Sequence, residues 1–244
     1  MKSIALIPAR YEATRFPGKL MQQLGEKTVI MHTFENTKKT MLFDEVIVAT
    51  DSKIIFDEIT SKGGYAILSD RNYETGSDRI AAAVKNIDVD VVINVQGDEP
   101  FVNKKALEDL LDVFNDQRVT AASLMCPIFS PAEIINPNYV KVVTDKNNNA
   151  LYFSRSPIPF ERNKAGVPVM KHVGIYGYRK NTLLHFCQLE KTPLESTEML
   201  EQLRLLENGI PIRMVETNLS PLSIDTPEDL EKARAYLVLN YSAK

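Results

Sequence analysis

Charge and position single out a few residues that could handle a polyanion. Arg10, Arg15 and Lys19 place three cations within ten residues, directly after the apolar run Ile4 to Ile7, and Gly18 precedes the lysine. Phosphate groups need such charge together with backbone N–H groups that can come close, which glycine permits. The GxxxxGK[ST] spacing of a P-loop is absent, and on charge alone a solvated basic loop is the simpler reading. Asp98 follows Val89 to Val95 at once, within Gln96-Gly97-Asp98-Glu99-Pro100. A carboxylate there can hold a hard divalent cation or shape a turn, and position puts the two readings on equal footing.

Asp225 stands before Thr226-Pro227-Glu228-Asp229. A helix start accounts for Thr226 as cap, Pro227 at the first helical position and Asp229 three residues after the cap. Asp225 is left over, and a metal ligand is one use for it. Glu198, Glu201 and Gln202 are spaced to share one face of a helix, with Met199, Leu203 and Leu206 as its expected core stripe. Taken alone, such a polar face is a solvated one. His172 heads the strand Val173 to Tyr178 and Arg155 ends the strand Leu151 to Arg155; each read singly is structural. His32 and His185 fall in helical patterns and receive no role. Cys126 and Cys187 are too few for a disulfide framework or a CxxC metal site.

The elements that must position these residues alternate along the first half. Strands are expected at Ile4 to Ile7, Val46 to Ala49, Tyr65 to Leu68 and Val89 to Val95. Helices are expected over Val29 to Thr40, from about Ser52 with Asp51 or Ser52 as cap, and over Ile80 to Ile87. Unbroken Val/Ile runs suit strands buried on both faces of a parallel sheet, and the alternation predicts a three-layer, doubly wound α/β fold. Ligands in such folds sit beyond the carboxyl ends of the strands, which directs attention to Pro8 to Lys19, Thr50-Asp51 and Gln96 to Pro100. In the second half, strands are expected at Ala121 to Ile128, Tyr139 to Thr144, Leu151 to Arg155 and Lys171 to Tyr178. Helices follow at Thr182 to Cys187 and Glu195 to Glu207, then a strand at Ile212 to Glu216 and a last helix from Thr226-Pro227.

Bulk properties narrow the function further. With 44% hydrophobic and 25% charged residues the chain has an ordinary globular composition. A net charge of −3 gives no general attraction to nucleic acid. No stretch approaches the ~20 apolar residues of a membrane span, and the N-terminal apolar run is too short for a signal peptide. A cytoplasmic protein without nucleic-acid or membrane partners is expected.

Taken together, the segments resemble the 3-deoxy-manno-octulosonate (Kdo) cytidylyltransferases. The matching stretches include Ile7-Pro8-Ala9-Arg10-Tyr11, Thr14-Arg15-Phe16-Pro17-Gly18-Lys19, Thr75-Gly76-Ser77-Asp78-Arg79, Asn94 to Pro100, Leu151 to Arg155, His172 to Arg179, Glu198 to Arg204 and Asp225 to Leu230, in the family's order along essentially the whole chain. Leu20 and Thr28 stand where members commonly have Pro, Ser77 where Thr is usual, and Ser223 where Gly is common.

The resemblance implies the nucleotide-diphospho-sugar transferase (Rossmann-like) fold, three-layered with a mostly parallel sheet and a small β-rich lobe for sugar binding and dimerisation. It implies one cytidylyltransferase domain over 1–244: residues 1–120 mainly nucleotide-binding, about 121–210 for the sugar acid and the dimer, and 211–244 returning to the main sheet. The implied reaction is CTP plus Kdo to CMP-Kdo and pyrophosphate, for lipopolysaccharide synthesis, with Mg²⁺ as cofactor and a homodimer as the assembly. Pro8, Ala9, Arg10, Arg15, Lys19, Gly76, Ser77 and Arg79 would bind the nucleotide. Asp98 and Asp225 would hold the metal, and with Lys19 and Arg10 form the catalytic set. Gln96, Arg155, His172, Tyr176, Glu201 and Gln202 would line the sugar-acid site. Rival readings are a cytidylyltransferase for 8-amino-Kdo or sialic acid, and a non-catalytic nucleotide-binding protein. Retention of Lys19, Asp98 and Asp225 together argues against the last.

Overall fold

Strand β1 (Ser3–Ala9) is buried at every position, and it fixes the frame of the first half of the chain. The computed structural model describes residues 1–12, 16–69, 73, 75–163, 166–218 and 222–241. They fold as two compact units, Met1–Lys104 with Pro221–Lys244, and Lys105–Ser220.

In the first unit a short hairpin, β2 (Gln23–Leu24) and β3 (Lys27–Thr28), leads into helix α1 (Val29–Lys39). Then come β4 (Glu45–Thr50), α2 (Lys53–Ser61), β5 (Tyr65–Leu68), α3 (Gly76–Val84) and β6 (Val91–Asn94). The strands lie side by side in the order β6-β1-β4-β5, every pair parallel. The neighbours of β1 are therefore the earlier β4 on one side and the later β6 on the other. That reversal between β1 and β6 is the switch point at which an open α/β sheet leaves a crevice beyond its carboxyl ends.

Local chemistry explains where the helices begin. Thr28, Ser52 and Thr75 each accept a hydrogen bond from the backbone N–H three residues on, at Met31, Ile55 and Asp78, so each caps its helix. For α3 this moves the start to Gly76, a turn earlier than the apolar pattern from Ile80 suggests. Ser52 rather than Asp51 is the cap of α2, which leaves the Asp51 carboxylate for another use. The C-terminal helix Pro227–Tyr241 starts on a reciprocal cap, with Thr226 Oγ1 accepting from Asp229 N–H while the Asp229 carboxylate accepts from Thr226 N–H.

The second unit takes in nearly all of helix α4 (Lys104–Asp112), whose Leu107, Leu110 and Leu111 are buried. It continues with β7 (Ala121–Ile128), a short α5 (Pro131–Ile135), β8 (Lys141–Thr144), β9 (Ala150–Ser154) and the long β10 (Val169–Arg179). Helices α6 (Lys180–Phe186), α7 (Pro193–Glu198) and α8 (Gln202–Glu207) and strand β11 (Ile212–Glu216) complete it. β7 pairs antiparallel with β10 and parallel with β11. β8 and β9 form a hairpin whose turn is built by Asp145, its carboxylate accepting from the backbone N–H groups of Asn147 and Asn149.

One expected element is corrected. The helix predicted over Glu195 to Glu207 is two helices, α7 and α8, because Met199 adopts the left-handed conformation at φ 54°. Glu198, Glu201 and Gln202 therefore do not share one helix face. Met199, expected in the core stripe, is 76% exposed, while Leu200 and Leu203 are buried. The break has a local cause: the Glu198 carboxylate turns away to accept from Ser154 Oγ at 2.6 Å and Arg155 N–H at 2.9 Å.

Candidate active site

The parallel register sets Pro8 and Ala9 opposite Ala49 and Thr50, so the carboxyl ends of β1, β4 and β6 share one edge of the first unit. The chain leaves β1 at the exposed Arg10. It returns through Gly18, whose N–H donates to the Tyr11 carbonyl at 3.0 Å and whose φ of 69° suits glycine. A single 3₁₀ turn, Lys19–Met21, follows and sets Lys19. Across the switch point, Gly97 passes so close to β1 that a Cβ there would stand 3.0 Å from the Pro8 carbonyl oxygen. That approach is what brings Asp98 beside Lys19.

At this place three groups converge from distant parts of the sequence. Lys19 Nζ lies 2.5 Å from Asp98 Oδ2 and 2.9 Å from Asp225 Oδ1. The two acidic segments are tied by their backbones, since Ile224 N–H donates to the Asp98 carbonyl at 3.0 Å. Asp225 is held from the other side, its N–H directed at the Asp229 carboxylate that also caps the C-terminal helix. Burial works against the Lys19 charge, but the two carboxylates outweigh it and raise its pKa above the ordinary lysine value.

The donor set fits a hard divalent cation. Two carboxylates already aim at one positive centre, and oxygen ligands from Asp are what Mg²⁺ prefers. Among the described residues no third His, Cys, Asp or Glu joins them. A cation there would complete its shell from phosphate and water oxygens, as is usual for Mg²⁺.

A second feature of this edge involves Arg79, which is 4% exposed. Its Nη2 donates to Asp51 Oδ2 at 2.6 Å, whereas Nη1 is buried without a partner among the described residues. An unmet buried donor costs about 1–3 kcal/mol, a cost removed when an acceptor arrives. Gly76 and Ser77 open α3 three and two residues before Arg79. Gln96 donates to Asn94 Oδ1 at 3.1 Å. Arg15 lies outside the described residues.

The remaining expected residues belong to the second unit. His172 is buried, with Ser123 Oγ 2.9 Å from its Nε2 and the rings of Phe153 and Tyr176 at 5.1 and 5.2 Å. Burial, then the nearby Lys171 charge, pulls its pKa down to about 3, so the imidazole is neutral. Burial pushes the Tyr176 phenol up, and the phenol stays protonated. Arg155, expected in the sugar-acid site, donates from Nε, Nη1 and Nη2 to the carbonyls of Glu198, Pro137 and Met199. Each Nη keeps one further N–H. Gln202 is buried at the start of α8, and Glu201 precedes it half-buried.

Three further residues matter to this geometry, although the sequence assigns them no site role. Asp51 sits after a strand, where a ligand group is plausible, yet its ion pair with Arg79 is visible only in space. Glu198 and Lys141 brace the Arg155 segment. The Lys141 ammonium is buried and donates to the carbonyls of Asn136, Tyr139 and Arg155.

Comparison with known proteins adds independent findings. The family described as "Cytidylyltransferase" matches residues 4–217. A 3-deoxy-manno-octulosonate cytidylyltransferase of Flavobacterium johnsoniae is 58% identical over 97% of this chain and 99% of its own length. The protein of that name from Christiangramia forsetii is 53% identical over 96% of both chains. Among solved structures, a CMP:2-keto-3-deoxy-manno-octonic acid synthetase complexed with CTP superposes with a TM-score of 0.93 at 39% identity, covering 98% of this chain and 99% of that one. A 4-diphosphocytidyl-2C-methyl-D-erythritol synthase from Anaerococcus prevotii, at 16% identity and a TM-score of 0.66, shares the fold.

Proposed function

Because the chain belongs to the 3-deoxy-manno-octulosonate cytidylyltransferase family, we propose a division of labour among its residues in the reaction of that family, CTP plus Kdo giving CMP-Kdo and pyrophosphate. The observation that carries the proposal is the convergence of Asp98 and Asp225 on the Lys19 ammonium. Enzymes of this kind use a divalent metal, and Mg²⁺ fits the paired carboxylates. When bound, Mg²⁺ supplies charge neutralisation at the α-phosphate and acidifies the attacking hydroxyl.

The chain's own residues do the rest. Pro8 and Ala9 present backbone at the switch point, and Arg10, Arg15 and Lys19 meet the phosphates. There the cations offset charge that grows on the departing pyrophosphate. The N-terminal turn of α3, with Gly76 and Ser77, and the open Nη1 donor of Arg79 read the base. Gln96, Arg155, His172, Tyr176, Glu201 and Gln202 bind the sugar acid, with the remaining Arg155 N–H groups offered to its carboxylate. The anomeric hydroxyl of Kdo attacks the α-phosphorus in line and pyrophosphate leaves from the opposite side. Catalysis then rests on positioning and charge stabilisation, and no covalent enzyme intermediate is required. A homodimer in the cytoplasm is the expected setting; the exposed Phe129, Ile135 and Phe160 of the second unit are apolar surface such an assembly would cover. No described helix is long and apolar enough to cross a membrane.

Pyrophosphate release with CTP and each of Kdo, 8-amino-Kdo and sialic acid tests the assignment. Turnover with Kdo and little with the others is expected. Preference for either alternative would reassign the acceptor.

A further inference from the structure

Strand β10 carries a bulge that has a use. Its register against β7 runs His172 to Met125 and Val173 to Leu124, then resumes at Tyr176 to Ser123. Gly174 and Ile175 are thus extra, and carbonyls near such a bulge lack their ladder partners. Ser123, fully buried, places its Oγ 3.2 Å from the Val173 carbonyl and 2.9 Å from the Ile175 carbonyl. The same Oγ lies 2.9 Å from His172 Nε2.

A hydroxyl has one proton and two lone pairs, while carbonyl oxygens only accept. If Ser123 gave its proton to His172, its lone pairs would face two carbonyl oxygens with no proton between them. The proton therefore goes to a carbonyl, nearest Ile175, and Oγ accepts from Nε2–H. With the imidazole neutral, Nδ1 is then an unprotonated acceptor, and it has no hydrogen-bond partner among the described residues.

We propose that Ser123 is a positioning residue for the cytidylyl transfer: by taking Nε2–H of His172 it locks the ring in one tautomer, with the Nδ1 lone pair kept for a hydroxyl of the acceptor sugar acid. The hydroxyl recognised is a donor, so a sugar-acid analogue with an ether at that position is discriminated against. The proposal rests on the assignment of His172 to the sugar-acid site. His172 is the contacting group, and Ser123 acts only through it.

Nitrogen-15 spectra of the wild-type enzyme, with labelled histidine assigned through His172→Gln, test the tautomer directly. An Nε2–H, Nδ1-bare imidazole is expected, and an Nδ1–H imidazole overturns the proposal. In kinetics, Ser123→Ala is expected to raise KM for Kdo about tenfold, the size of one misdirected hydrogen bond, with KM for CTP unchanged and a mixed-tautomer spectrum. Ser123→Thr restores the hydroxyl and is expected to return the single tautomer. A Ser123→Ala enzyme with the wild-type tautomer or wild-type KM for Kdo refutes the positioning role. His172→Gln separates the premise: if that variant leaves KM for Kdo unchanged, the His172 assignment fails, whatever Ser123 does to the spectrum.

Discussion

Lys19 holds two carboxylates that would otherwise repel each other, and it does so where a divalent cation fits. The ammonium balances Asp98 and Asp225. A divalent cation held by the two carboxylates would leave the ammonium to turn to phosphate. Replacing Lys19 with Met should therefore lower the melting temperature in the absence of metal and enlarge the rise produced by Mg²⁺, because the vacated carboxylate pair gains more from the ion. Thermal unfolding over a Mg²⁺ titration reads this. Equal rises in the two proteins would show that lysine and metal do not share a position. Asp98→Asn removes one charged ligand without changing shape. It should cut turnover by at least about a hundredfold, in line with the loss of a metal or oxyanion contact, with an unchanged circular dichroism spectrum. Full activity with Mg²⁺ in that variant would contradict the metal assignment.

At the scale of elements, the break between α7 and α8 shows what sequence pattern can and cannot convey. Glu195 to Glu207 reads as one amphipathic helix because spacing reports periodicity, not the competing bond that pulls Glu198 toward Ser154 and Arg155. Strands β5 and β7 have the bounds their apolar runs predict, and β7 is buried at all but one of its positions, as an unbroken apolar run implies. Thr28 explains a departure from the family's common Pro: its hydroxyl caps α1, and it also donates to Glu58 at 2.8 Å. The break itself is testable. Met199 adopts a left-handed conformation that costs a side-chain-bearing residue about 1–2 kcal/mol, and its side chain is exposed. Met199→Gly should therefore stabilise the protein by roughly 0.5–1 kcal/mol once the extra freedom of glycine when unfolded is deducted. Glu198→Ala should destabilise it by about 1–3 kcal/mol by stranding the Ser154 hydroxyl and the Arg155 N–H. Denaturant titrations measure both. A destabilised Met199→Gly would mean that side chain contributes packing the exposure does not reveal.

For the whole molecule, the described chain folds as two compact units, and sequence reached them unevenly. Asp98 and Asp225 were legible as carboxylates worth attention, because Asp98 follows a buried strand and Asp225 is surplus to a helix start. The hydrogen-bond roles of Asp51 and Ser123 were not, because each depends on a partner distant in sequence. The units also differ in how they answer pH. In the first, the pKa of Lys19 is raised on folding; its stabilisation is complete below the unfolded value of about 10.4 and is lost only as pH climbs through the folded one. In the second, His172 is held neutral, with a folded pKa of about 3 against about 6.5 unfolded. Between those values the unfolded chain binds the proton first, so stability falls as pH drops from about 6.5 toward 3. His172→Gln removes that titration. The stability advantage of the wild type over this variant should be largest near pH 7 and shrink steadily by pH 4.5, as measured by urea unfolding of both proteins at matched pH. An advantage that stays constant over that range would mean that His172 takes up its proton equally in the folded and unfolded chain, and its burial beside Ser123 would then exert no hold on its charge.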